Sequence, residues 1–164
     1  MDIDKLIQET EKIKLKEDQL WDVVHEYTEI IIIGNGGSNS IASHIAQDYT
    51  KVLDKRAISF SDPSRLTCYI NDYGRDEAYK EFIKDFAIPG TLVILISSSG
   101  NSMNIVNAAY YCQQYFIPFI TLSGFDKLNK LNSTKADFSY WVDSKSYGIV
   151  ECAHEILLHS IVDN

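Results

Sequence analysis

The chain has 164 residues, 45% of them hydrophobic, and sets 15 Lys and Arg against 23 Asp and Glu for a formal net charge of −8. That length and apolar content suit one globular domain over residues 1–164 rather than two domains or a disordered chain, and the acidic balance excludes a face that neutralises a nucleic-acid backbone. Cys68, Cys112 and Cys152 stand far apart without CxxC spacing, which argues against a disulfide framework or a cysteine-based zinc site and fits a reducing cytoplasm.

The N-terminal stretch is heavily charged, without the apolar centre of a signal peptide, and no run reaches the ~20 apolar residues of a membrane span, so a soluble protein is expected. Residues 2–27 are expected to be helical, with Ile3, Leu6, Ile7, Ile13, Leu20, Trp21 and Val24 at roughly helical spacing. A leading helix of this kind packs on its own domain or supplies a subunit contact. EIIII then forms a β-branched run bounded by Gly34, which predicts a buried strand. Residues 56–60, 91–96, 118–122 and 138–142 repeat that character, separated by helical segments. Strands alternating with helices predict an α/β fold, a parallel sheet covered on both faces that receives ligands at the carboxyl ends of its strands.

Two of those strand ends carry loops of small polar residues. IIII runs into GNGGS (34–38) and LVILI into SSSGNS (97–102), each before an expected helix. Glycines let backbone approach a ligand, and free N–H groups at a helix start favour an anion. The plain alternative for either loop is a tight turn with serine helix caps. GNGGSNS lacks the lysine of a P-loop and does not have GxGxxG spacing, so a sugar phosphate fits better than a nucleotide.

His44 and Asp48, four residues apart after the first loop, share a helix face, with Ile41, Ile45 and Val52 expected to face the sheet. The last helix, about 147–163, carries Glu151, His154 and His159 among aliphatic residues. Glu151 and His159 stand roughly 80° and about 12 Å apart on it, so they converge only on something between them. His154 points away from His159 and reads as structural. An imidazole and carboxylates beside a phosphate loop serve proton transfer or hold a divalent metal.

GNGGS followed by ASHIAQDYTK, INDYG at 70–74, SSSGNS at 97–102 and the final HEILLH occur in this order over nearly the whole chain. In this the sequence resembles the sugar isomerase (SIS) domain family and, within it, the phosphoheptose isomerases. The resemblance implies a three-layer αβα sandwich with a five-stranded parallel sheet, preceded by an N-terminal helix. It implies a homotetramer with sites shared between subunits. It places the sugar phosphate on Ser97, Ser98, Ser99, Asn101 and Ser102, with Asn35, Gly36, Gly37 and Ser38 lining the same pocket and Glu151 and Asp72 as further polar candidates. Metal-ligand or acid/base roles fall on His44, Asp48, Glu151 and His159, with one zinc per site and no nucleotide. Two of these depart from the familiar enzymes, which carry Glu where this chain has Asp48 and Gln where it has Glu151. A shorter carboxylate arm moves a base by over an ångström, whereas an added charge at 151 strengthens metal binding. An acidic residue of the family pocket has no clear match near Tyr147 and Gly148, Asp143 standing farther back.

The implied reaction converts sedoheptulose 7-phosphate into D-glycero-D-manno-heptose 7-phosphate through an enediol, for heptose biosynthesis, with Asp48 as base and His159 as acid. Two other readings remain open. One is a non-catalytic SIS protein that binds a phosphosugar and regulates another process; the other is an isomerase or epimerase of a different sugar phosphate.

Overall fold

The computed structural model describes residues 1–162. In chain order these form α1 (Ile3–Ile13), α2 (Glu17–His25), β1 (Glu29–Gly34), α3 (Gly37–Val52), β2 (Arg56–Ser59), α4 (Pro63–Tyr73) and α5 (Ala78–Phe86). There follow β3 (Thr91–Ser97), α6 (Met103–Tyr115), β4 (Phe119–Ser123), β5 (Phe138–Trp141) and α7 (Tyr147–Ser160). The expected end of the last helix at 163 lies outside the described residues.

All five expected strands form, in one sheet of order β2-β1-β3-β4-β5 with every neighbouring pair parallel. The strands are apolar on both sides because helices cover both faces. Ile30 and Ile32 join one core cluster with residues of α2, α3 and α7, while Ile31 and Ile33 join the other with residues of α5 and α6. This is the α/β sandwich that the alternation of elements predicts. The chain leaves β1 for the edge strand β2 and then returns to lay β3 on β1's other side, so connections diverge between β1 and β3. Such a switch point opens a crevice at the carboxyl ends, and Gly34 pairs with Ile96 there.

Two expectations are corrected. The N-terminal helix is split at Lys14–Lys16, with Leu15 exposed. An unbroken helix over 2–27 would be roughly 39 Å long; the turn lets α1 pack on α7 and α2 on β5. Val52 is exposed although Ile41 and Ile45 are buried. It shares their angular face but lies in the last turn of α3, below the level where Tyr49 closes the interface by donating its hydroxyl to Leu158 O at 3.1 Å.

Candidate active site

Three helix starts meet at the β1/β3 crevice. β1 turns through Asn35 and Gly36 into α3, and Gly36 takes φ +53°, a conformation glycine adopts without strain. β3 runs through Ser98–Asn101 into α6, whose N-cap position is Ser102, and α7 begins at Tyr147 after Ser146. None of the three is closed by a side-chain cap hydrogen bond. Their first N–H groups and the positive ends of their dipoles therefore face a common space.

That space is a cavity of about 210 Å³ lined by Asn35–Ser38, Ser97–Ser99, Ser102, Tyr147 and Glu151. Ser98 Oγ is buried without an internal partner, unusual for a hydroxyl. Asn35 is locked from behind: its amide donates to Asn104 Oδ1 at 3.0 Å, and its own oxygen accepts from Asn104 and from the Tyr79 hydroxyl at 2.7 Å. Asn101 does not line the cavity. It ties the serine loop instead, donating to Ser99 O and accepting from Lys130 N at 3.1 Å.

A second cavity, of about 350 Å³, adjoins the first and shares Gly37 and Glu151 with it; Ser40, His44, Cys152 and Glu155 extend its wall. A Cβ at Gly37 would overlap the Glu151 carboxylate, so glycine leaves room for that carboxylate at the start of α3. Burial raises the pKa of the Glu151 carboxyl above its ordinary value.

Farther along α3 and α7 the ionisable residues cluster. Asp48 Oδ2 stands 3.4 Å from His44 Nε2 and 3.6 Å from His159 Nδ1. One donor atom from each of His44, Asp48 and His159 lies within 4.8 Å of the others. Two imidazoles and a carboxylate at that separation can hold a metal ion, and the donor chemistry is that of zinc sites.

The sequence-derived site residues thus divide. Both loops and Glu151 come together around one cavity, and His44, Asp48 and His159 around another centre, with Glu151 outside the three-donor group. Asp72 stands apart in the last turn of α4, exposed, accepting from Cys68 and Asn71. Asp143 faces Lys5 at 3.6 Å rather than the cavity, whose wall at that place is Tyr147. His154 is fully buried, its Nε2 3.0 Å from Ser123 O and its pKa lowered to about 4, first by desolvation, as a structural residue would be. Sequence reasoning passed over Asn104 and Glu155. Asn104 carried no local signal, but Glu155 did, standing four residues from both Glu151 and His159.

Residues 3–124 match the SIS domain family. The chain belongs to that family. The chain is 32% identical over 161 residues to a phosphoheptose isomerase of Fusobacterium nucleatum, covering 95% of this chain and 80% of that protein. It is 37% identical to the phosphoheptose isomerase of Pectobacterium atrosepticum over 60% of this chain and 53% of that protein, so that match spans about half of the relative's length. Among solved structures, the chain superposes on phosphoheptose isomerase GmhA of Neisseria gonorrhoeae with a TM-score of 0.87 at 27% identity, covering 96% of this chain and 90% of that one. A phosphoheptose isomerase from Francisella tularensis, at 20% identity and a TM-score of 0.81 over 98% and 90% of the two chains, shares the fold.

Proposed function

We propose that the chain is a phosphosugar aldose–ketose isomerase of heptose biosynthesis, converting sedoheptulose 7-phosphate into D-glycero-D-manno-heptose 7-phosphate. The observation that carries this reading is the meeting of three uncapped helix starts at one serine-lined cavity, with the uncommitted Ser98 hydroxyl among the donors. A phosphate satisfies N–H groups, hydroxyls and helix dipoles at once. The adjoining cavity leads from that anchor past Gly37 and Glu151 to His44, which supports a substrate held by its phosphate with its reacting end toward the His/Asp/His group.

A ketose becomes an aldose by moving one proton from C1 to C2 and another from the C1 oxygen to the C2 oxygen. In this reading Asp48 takes the C1 proton and returns it to C2, while His159 protonates the C2 oxygen and recovers a proton from the C1 oxygen. Glu151, at the wall common to both cavities, orients substrate hydroxyls. His44, Asp48 and His159 are also the groups that would hold a zinc ion; bound to it, Asp48 and His159 would serve as ligands in place of free base and acid, and the ion would supply polarisation of the substrate's carbonyl. A homotetramer belongs to the same proposal. Asp72, on an exposed helix face, would then serve a site across a subunit contact, and sedimentation analysis measures that assembly.

NMR of the protein with sedoheptulose 7-phosphate, with and without zinc, tests the reading, with Asp48→Asn as control. Appearance of aldoheptose phosphate that stops in the variant is the expected result. Ligand line broadening without conversion would overturn the assignment of substrate and activity.

A further inference from the structure

We infer that Glu155 is the positioning residue for the His44/Asp48/His159 group: its carboxylate takes the Nδ1–H of His44 and thereby turns the lone pair of His44 Nε2 toward Asp48. This rests on the reading of those three residues as metal ligands.

Each of two packed helices contributes a histidine and a carboxylate four residues apart, His44 and Asp48 on α3 and Glu155 and His159 on α7. Their packing interleaves the pairs. Glu155 Oε1 lies 3.2 Å from His44 Nδ1 and 4.0 Å from His159 Nε2. These are the nitrogens opposite to the two that face Asp48, His44 Nε2 at 3.4 Å and His159 Nδ1 at 3.6 Å. Every imidazole in the group therefore has one nitrogen on the Asp48 side and one on the Glu155 side.

A neutral imidazole carries one N–H and one lone pair. A carboxylate offers only acceptors, so Glu155 favours the N–H at His44 Nδ1 and leaves the His44 Nε2 lone pair pointing where Asp48 Oδ2 completes the donor set. Ligating histidines commonly have such an outer carboxylate, which fixes tautomer and ring orientation. His44 needs one, because its side chain is 55% exposed and little packing restrains the ring. Glu151 does not serve, since its carboxylate lies beside Gly37, one turn away on α7.

The experiment is zinc binding by the full chain in competition with a chromophoric chelator. It compares Glu155→Ala, Glu155→Gln and, as a control for losing one negative charge, Glu11→Ala at an exposed position of α1. Glu155→Ala is expected to weaken zinc binding about 10–100-fold. Glu155→Gln, which keeps an acceptor oxygen, should lose less, and Glu11→Ala should not change. Long-range ¹⁵N spectra of the zinc-loaded wild type should show His44 protonated at Nδ1 and metal-bound at Nε2. Unaltered zinc binding by Glu155→Ala, or His44 bound to metal through Nδ1, would overturn the inference while leaving the metal reading intact. Failure of the wild type to take up zinc would overturn both.

Discussion

Gly37 and Glu151 occupy the same point in the fold from two sides: the first residue of α3 has no side chain, and the Glu151 carboxylate of α7 fills the place a Cβ would take. Gly37→Ala should therefore turn the flexible Glu151 carboxylate out of that place. Because only the end of a flexible side chain must move, the stability change should stay below about 1 kcal/mol, less than the range for overpacking a rigid contact. Because both cavities share this wall, the Michaelis constant should rise and turnover fall together. Urea unfolding and steady-state kinetics on the same sample measure the two effects.

Ser98 separates binding from stability. Its hydroxyl is buried with no internal partner, so Ser98→Ala removes no native hydrogen bond and should leave the unfolding free energy of the ligand-free protein unchanged or slightly higher. The substrate's phosphate loses a donor, and the Michaelis constant should rise about tenfold, equivalent to roughly 1.4 kcal/mol of binding. Ser99→Ala and Ser102→Ala should also act on the Michaelis constant, more weakly because neither residue is as deeply buried.

Asp48→Asn should do the reverse. The amide keeps the shape of the side chain but cannot take a proton from carbon, so turnover should drop about 10²–10⁴-fold with phosphosugar binding retained. Isothermal titration beside a rate assay distinguishes this from a binding defect. Equal, mild effects from Asp48→Asn and the serine variants would count against the division of labour proposed here.

His154 makes stability depend on pH. Its folded pKa is lowered from 6.5 to about 4 by complete burial, so between those values the unfolded chain binds a proton that the folded chain does not. Stability therefore falls as pH drops through that window and stops falling from this cause below about 4. The loss between pH 6.5 and 5 is roughly 1.5 kcal/mol for one such group. His154→Gln should be less stable at neutral pH, because it disturbs the contact with Ser123 O, but its stability should change less over that interval. Urea unfolding of both proteins at the two pH values measures the difference.

Much of this was legible in one dimension. Runs such as EIIII and TLVILI read as buried strands because a parallel sheet covered on both faces needs uninterrupted apolar residues. GNGGS and SSSGNS read as ligand loops because glycine and serine at a strand-to-helix turn expose N–H and O–H groups. Helical spacing paired His44 with Asp48 correctly, since i,i+4 geometry is local. The break at Lys14–Lys16 and the exposure of Val52 were not legible, because both depend on where neighbouring elements end.

The sequence by itself thus determined the five strands, the two loops and a set of residue types suited to an anion and a metal, all consequences of short-range backbone and side-chain geometry. Only the tertiary structure decided how those residues were shared out. The crossing of α3 and α7 sends Glu151 against Gly37 into the serine-lined cavity and brings Glu155 to the back of His44 and near His159. Two carboxylates one turn apart on a helix are equivalent in sequence; which of them meets which partner is set by contacts with a helix more than a hundred residues earlier in the chain.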